Sequence, residues 1–567
     1  MIQGMAQGPV SARPWLSMYP PGMPGEIDVA NQGTLVDLLR AGTEQCATRP
    51  AIRCFGKSIT YAELGASGDA IAAWLIAQGF AKGDRIAIMM PNVPAYPAAI
   101  YGILMAGCVV VNVNPLYTPR ELTAQINDSG ARALFVLENF AHTVAGALAD
   151  IALERIVIAG PGDGLGFKGR IINLASRHVK KAVPAYDLPA AKTVRFEAVV
   201  RHGRGLPKSV VPVGPQDLAF LQYTGGTTGV AKAAMLTHAN IVANVAQCRV
   251  WFCVSQADHV DRVMVTALPL YHIFALTGCF FLFMNIGGCC LLIPNPRDVD
   301  GFVKTLKNNR FTHFSGVNTL FNLLNNHPRI NEVDFSAIHF VIAGGMAVQA
   351  PVAAKWKSIT GKSIVEGYGL SETSPVVCVN IPDVEWTGTI GFPVPSTDVA
   401  IRDPDGKDVR PGEPGELCVR GPQVMAGYWK RPDETARATT SDGYFRTGDV
   451  AVFQADGQVR IVDRMKDMIL VSGFNVYPNE VEEILVGHPG VLECAVVGTH
   501  CEETGEMVVA HVVLKDKSVG IEALRAYARS QLTGYKVPRR VVFHETLPKT
   551  NVGKVLRRAL RDEAPRA

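Results

Sequence analysis

The sequence has no cysteine pair at CxxC spacing and no Cys/His cluster at zinc-site spacing, although it contains 12 cysteines. Scattered thiols of this kind fit a reducing cytosol and argue against a disulfide framework or a structural metal centre. The N-terminal segment MIQGMAQGPVSARPW lacks an apolar run of signal-peptide length. A cytoplasmic location is therefore expected. Charge imbalance is also lacking. A net charge of +4 over 567 residues is too small to argue for nucleic acid, so no nucleic-acid partner is expected. There is no internal repeat and no low-complexity tract. With 48% hydrophobic and 19% charged residues, the chain can bury a large core and is not disordered.

Two stretches contain no Asp, Glu, Lys or Arg: Ile86 to Pro119 and Val263 to Pro296. Neither offers the roughly 20 uninterrupted apolar residues of a membrane span. The first holds Pro91, Pro94, Pro97 and Pro115; the second holds Pro269, His272, Asn285 and Gly287-Gly288. Buried strand–helix–strand segments are the reading that fits. Peripheral membrane contact stays open.

The alternation of β-branched runs with helical stretches predicts an α/β fold with largely buried parallel sheets. RIAIMM, CVVVNV, RALFVL, RIVIAG, LAFLQY, RVMVTAL and FVIAGG read as strands. TYAELGASGDAIAAWLIAQGF and PAAIYGILMAG read as helices. Residues Gly162 to Gly214 read as surface connection, and GPGDGLGFKG, Gly160 to Gly169, as a flexible loop. After about Ile390, short strands with Asp-Gly turns predict a β-rich antiparallel subdomain. A compact α+β unit begins near Arg464. The expected division is a large N-terminal domain, 1–463, of layered sheets and helices, and a small mobile C-terminal domain, 464–567.

TGGTTGVAK, from Thr224 to Lys232, has the ingredients of a phosphate loop. Glycines let backbone N–H groups approach an anion, and Thr224, Thr227 and Thr228 add hydroxyl donors. It is not a Walker A loop, which needs lysine directly after its second glycine. Here Lys232 lies three residues beyond Gly229. Taken alone, the stretch is equally compatible with an ordinary turn between a strand and a helix.

Its company is more specific. EGYGLSETSP carries Tyr368 and Glu372, YFRTGDV carries Asp449, DRMKDMILVSGFNVYPNEVE carries Arg464 and Lys466, and LPKTNVGKVLRR carries Lys554. Together with YTGGTTGVAKAAMLTH, ALPLYHIFALT and GELCVRGPQVMAGYW, these resemble the adenylate-forming superfamily of acyl-CoA synthetases, nonribosomal adenylation domains and luciferases. WLSMYP, MMPN and VVNVNPLYTPRELTAQINDSGA are similar to bacterial long-chain fatty acid–CoA ligases in particular. Two departures are mild. Ala233 stands where many relatives have glycine, at little cost if the backbone there is helical, and Ser371 replaces a threonine.

The resemblance implies an enzyme using ATP, Mg²⁺ and CoA in two half-reactions. A long-chain fatty acid and ATP give acyl-adenylate and pyrophosphate; CoA then gives acyl-CoA and AMP. It implies that Thr224, Gly225, Gly226, Thr227, Thr228, Gly229 and Lys232 hold the β- and γ-phosphates. Glu372 would bind Mg²⁺, with Ser371 beside it, and Tyr368 would stack on adenine. Gly344, Gly345 and Gly367 would allow close backbone approach. Asp449 would accept from the ribose hydroxyls with Arg464 nearby, and His272 would lie between the acyl and nucleotide sites. Lys554 would neutralise charge as the adenylate forms. Lys466 matches the hinge, and Ser472, Gly473 and Phe474 match a loop that forms the CoA channel. The other basic residues between Tyr535 and Arg561 are candidates for a solvated face attracting CoA phosphates or an anionic membrane surface.

Alternatives follow from the same motifs. A carrier-directed adenylating enzyme shares the first half-reaction, although only nine residues remain after Arg558. A luciferase-like oxygenase is more distant. A non-catalytic lipid- or nucleotide-binding protein need not keep Glu372, Asp449 and Lys554 together. Chain-length preference is not written in the sequence. Nor is the oligomeric state, with which a homodimer is compatible.

Overall fold

The computed structural model describes residues 13–208, 211–224, 231–253, 261–382, 384–550 and 553–563. Gly225, Gly226, Thr227, Thr228 and Gly229 of the phosphate loop lie outside the described residues.

Four sheets carry the α/β architecture. A seven-stranded sheet runs in the order Thr193–Arg195, Arg155–Ala159, Ala133–Leu137, Arg85–Met89, Val109–Asn112, Leu218–Thr224 and Lys232–Thr237. It is parallel except for its last strand. A nine-stranded sheet has a parallel centre, Val365–Gly369, Phe340–Gly344, His313–Gly316, Val263–Thr266, Cys289–Leu292 and Pro50–Cys54, flanked by antiparallel edges. All seven strands expected from sequence lie in these two sheets. A four-stranded antiparallel sheet spans Asp398 to Arg464. A five-stranded sheet from Ile469 to His544 packs its own helices, Pro478–Val486 and Ile521–Arg529, in a separate core.

The two uncharged stretches are buried βαβ segments. In the first, helix Ala95–Met105 joins strands Arg85–Met89 and Val109–Asn112, and every one of its 11 residues is buried. In the second, Ala275–Phe281 and Leu282–Asn285 form a continuous helical run between Val263–Thr266 and Cys289–Leu292. One core joins these helices to both large sheets. Each fully buried Leu, Ile or Phe there contributes about 1.5–3 kcal/mol. No described helix is long and apolar enough to cross a membrane.

Helix starts follow local chemistry. Thr60 caps Tyr61–Ala77, with Glu63 returning the bond to the cap backbone. Thr118 and Glu121 do the same for Pro119–Ser129, which ends at Gly130 in the left-handed region. Such caps contribute about 1 kcal/mol each.

Three expectations are corrected. Residues 162–214 are not merely surface connection: strand Thr193–Arg195 completes the seven-stranded sheet, and helix Phe196–Gly203 packs on Tyr61–Ala77. GPGDGLGFKG is not a free loop. Helix Gly166–Leu174 starts within it, and the Asn173 amide donates to Asp163 at 2.7 Å. Ala233 is likewise not helical. It sits in strand Lys232–Thr237 opposite Tyr223, so the phosphate loop joins two antiparallel strands. Alanine and methionine favour helix by propensity, and pairing with Leu218–Thr224 overrides it.

Candidate functional site

The site forms where the C-terminal ends of parallel strands meet the smaller sheets. Strand Val365–Gly369 brings Gly367 level with Gly344 and leads into the short turn Ser371–Thr373. That turn is tightly specified. A Cβ on Gly369 would stand 1.9 Å from the Pro375 carbonyl oxygen, so no larger residue fits. Asn244 pins the chain just beyond, donating to the Val376 carbonyl at 2.9 Å and accepting from its N–H at 3.0 Å.

Glu372 is buried in this turn. Its carboxylate accepts from the Tyr428 hydroxyl at 2.8 Å, and its carbonyl accepts from the Met425 N–H at 2.8 Å. Burial raises its pKa, with the Tyr428 bond opposing. Asp449 is also buried. It accepts from the Tyr368 hydroxyl at 2.6 Å and faces the Arg464 guanidinium at 3.4 Å, Arg464 being its register partner on the next strand. Burial raises the Asp449 pKa, and Arg464 and Tyr368 counter it. Tyr368 and Asp449 are thus joined directly. Lys232 pairs with Glu434 and lies over the Tyr428 ring at 5.4 Å.

Lys554 comes to the same place from the C-terminal sheet. A Cβ on Gly345 would stand 3.3 Å from its Cε. Its loop docks on helix Asn318–Asn325: the Thr319 hydroxyl donates to the Gly553 carbonyl at 3.2 Å. Gly553 has φ 83, and a Cβ there would meet the Thr319 hydroxyl at 2.7 Å, so glycine is required on two counts. Burial, then the Arg464 charge, pushes the Lys554 pKa down to about 8, with Asp449 opposing.

His272 stands next to this lysine. Burial, then the Lys554 charge, pushes it down to about 3, so its ring is neutral at physiological pH. Two residues on, Phe274 lines an apolar cavity with Phe252, Met264, Cys279, Phe283 and Ile342. The Phe274 ring also stands 3.0 Å from where a Cβ on Gly344 would sit. Cavity and polar site therefore share a wall.

Sequence reasoning missed Tyr428 and Glu434, which hold Glu372 and Lys232. The first lies within a quoted motif, GELCVRGPQVMAGYW, yet nothing local marks its hydroxyl. Lys466 falls in the single turn Met465–Asp467, and burial lowers its pKa. Ser472, Gly473 and Phe474 are exposed, with Phe474 stacked on Tyr535 at 4.8 Å. The basic C-terminal segment is not a free solvated face. Lys536 pairs with Glu480, Arg539 with Glu503, Lys549 with Glu493, Arg557 with Glu482, and Arg561 with Asp467.

Known proteins share this sequence pattern and fold. The family model described as AMP-binding enzyme matches residues 39–429, and the model for its C-terminal domain matches 480–554. The chain belongs to the AMP-binding enzyme family. It is 50% identical over 554 residues to a long-chain-fatty-acid–CoA ligase of Escherichia coli O157:H7, covering 97% of this chain and 98% of that one. A ligase of the same name from Bacillus subtilis is 37% identical, with 98% of both chains covered. Among solved structures, ATP-bound MatB from Rhodopseudomonas palustris is 28% identical with a TM-score of 0.79, covering 93% of this chain and 98% of that one. A benzoate CoA ligase from Burkholderia xenovorans is 27% identical with a TM-score of 0.80, covering 93% and 99%.

Members of an AMP-binding family handle nucleotide phosphate, which raises the question of Mg²⁺. Among the described residues no three His, Cys, Asp or Glu side chains converge on a common point. Two buried carboxylates face the site, Glu372 and Asp449, and Asp449 is engaged by Tyr368 and Arg464. Mg²⁺ keeps waters and takes few protein ligands, usually one or two carboxylates with substrate phosphates. The donor set fits that mode and no all-protein cage.

Proposed function

We propose that this AMP-binding enzyme activates a long-chain fatty acid with ATP and transfers the acyl group to CoA, releasing pyrophosphate and AMP. The observation that carries this reading is the apposition of Lys554 to the Tyr368–Asp449–Glu372 cluster at the wall of an apolar cavity. The full-length likeness to bacterial long-chain ligases supports the chain class.

In this reading residues 1–463 form the adenylating body and 464–567 the mobile lid, with Lys466 at the hinge. The acyl chain occupies the cavity, its carboxylate emerging between Phe274, neutral His272 and Lys554. A carboxylate oxygen attacks the α-phosphorus; the bond to the β-phosphate oxygen breaks and pyrophosphate leaves. Lys554 neutralises the two anions as they approach, which is positioning and charge stabilisation in a site shielded from water. Asp449 orients the ribose, and Tyr368 stacks on adenine while its hydroxyl fixes the Asp449 carboxylate. Thr224 to Lys232 hold the leaving phosphates, for which Lys232 must release Glu434. Glu372 would hold Mg²⁺, which supplies charge neutralisation on the phosphates. The lid then turns about Lys466, bringing Ser472, Gly473 and Phe474 to form the CoA thiol channel. The enzyme works in the cytoplasm and associates peripherally with the inner face of the membrane.

Initial rates of acyl-CoA formation from acetate through stearate test the substrate class. Rates rising to a maximum among the long acids are expected. A maximum at acetate or an aromatic acid would overturn it.

Two further outcomes follow. Asp449→Asn keeps the size but removes the charge that meets Arg464 and the ribose. Hydrogen bonds to charged groups contribute about 1.5–3 kcal/mol, so KM for ATP should rise about 10–100-fold. An unchanged ATP dependence of pyrophosphate release would remove Asp449 from the nucleotide site. Second, only protonated Lys554 can neutralise the reacting anions. Its cation is present below pH about 8 and lost above it. The kcat/KM of adenylation, which reports the free enzyme, should therefore fall as pH rises through about 8. A profile that falls only in the ordinary lysine range would contradict this.

A further inference from the structure

One surface outside the site carries an inverted amphipathic pattern. Helix Gly166–Leu174 and its continuation Ala175–Val179 place Phe167, Ile171 and Leu174 at i, i+4 and i+7, one helix face. A surface helix normally turns such a stripe to the core. Here Phe167 is 78% exposed, Ile171 51%, Leu174 54% and, one turn on, Val179 79%. The opposite side, with Gly169 and Ser176, is buried.

Basic residues frame the stripe. Lys168 and Arg170 flank it, Lys180 and Lys181 follow it, and all four are exposed. No Asp or Glu occurs between residues 164 and 186. The patch continues onto the neighbouring hairpin turn. Phe55 is 40% exposed, and a Cβ on Gly56 would stand 3.3 Å from the Lys168 ammonium. The helix is held firmly from below. Asn173 bonds Asp163 at 2.7 Å and accepts from the Gly162 N–H at 2.8 Å, while Arg177 pairs with Glu138 at 2.7 Å.

We propose that this face docks on an anionic lipid bilayer, Phe167, Ile171 and Leu174 entering the acyl boundary and Lys168, Arg170, Lys180 and Lys181 meeting headgroup phosphates. The inference rests on the peripheral association proposed above and names the surface responsible. Charge argues against a second copy of the chain as occupant. A two-fold contact would set this basic patch against itself.

Co-sedimentation of the full chain with vesicles of equal phosphatidylglycerol and phosphatidylcholine, and with phosphatidylcholine alone, tests it. Binding is expected to the anionic vesicles, weakening with salt. The triple variant F167S/I171S/L174S should bind about tenfold or more weakly, because three inserted apolar side chains are lost. K180E/K181E, two exposed reversals that leave the helix packing intact, should also weaken binding. Acyl-CoA formation on detergent-dispersed fatty acid should be unchanged in both. If the wild-type chain ignores anionic vesicles, peripheral association itself fails. If it binds and both variants bind equally well, association survives and this surface is overturned. A concentration-dependent dimer dissolved by the triple variant, with vesicle binding intact, would also overturn it in favour of a second copy.

Discussion

Replacing Lys554 with alanine is expected to lower adenylation by about 10²–10³-fold or more, the cost of removing one preorganised charge-stabilising donor. Thioester formation from supplied acyl-adenylate should be largely spared. The expectation follows from where the side chain is. Its Cε reaches Gly345, and its charge is felt by both His272 and Asp449. Arg464 and Lys466 also act on Asp449, so positive potential at that carboxylate survives the substitution. What is lost is a cation at the wall shared by cavity and nucleotide site. Measuring the half-reactions separately, as pyrophosphate release and as CoA consumption from acyl-adenylate, distinguishes this from general damage. Equal loss in both would contradict the assignment of Lys554 to the first half-reaction.

Replacing Arg557 with alanine should be the most damaging change to the C-terminal unit. Its guanidinium donates to both Glu482 oxygens at 2.8 and 2.9 Å and to Asn479 at 2.8 Å; Asp467 stands at 3.5 Å and Asp463 at 3.7 Å. It thus ties together the segment after Lys554, helix Pro478–Val486 and the residues on either side of Lys466. Asp463 and Asp467 are buried and Glu482 is mostly so. Removing one member of such a cluster leaves buried charge uncompensated, at a cost of about 3–5 kcal/mol. Chemical denaturation of R557A should show that loss in the C-terminal unit, and adenylation should fall with it. Lysine at this position restores charge without the fork and should recover only part of the stability. An unchanged denaturation midpoint would show the cluster to be dispensable.

The fold was legible wherever local chemistry and burial agree. TYAELG announces a capped helix because Thr60 and Glu63 satisfy each other's backbone donors. RIAIMM and FVIAGG read as strands because parallel strands covered on both faces are continuous apolar runs. The loop at Thr224 was harder. Its partner strand, KAAMLT, is rich in residues that favour helix, and only pairing with Leu218–Thr224 makes it a strand. The segment after Gly162 looked like a connection because its contribution to the large sheet is three residues long, Thr193–Arg195.

The candidate site was legible as motifs and not as contacts. Glu372, Asp449 and Lys554 each stand in a recognisable stretch. That Tyr368 bonds Asp449 and Tyr428 bonds Glu372 depends on strands from three different sheet systems meeting, which no window of sequence contains. The Arg557 cluster was hidden for the same reason. Glu482 and Asp467 lie 75 and 90 residues away in sequence, and the surrounding Lys and Arg suggested a solvated face.

Fatty-acid-dependent adenylation is the step that decides the function. The chain should be mixed with ATP, Mg²⁺ and oleate without CoA, and its products separated. Pyrophosphate and oleoyl-adenylate, formed only when oleate is present and converted to oleoyl-CoA and AMP on adding CoA, are the predicted result. ADP and phosphate as products, or pyrophosphate released at the same rate without oleate, would contradict it.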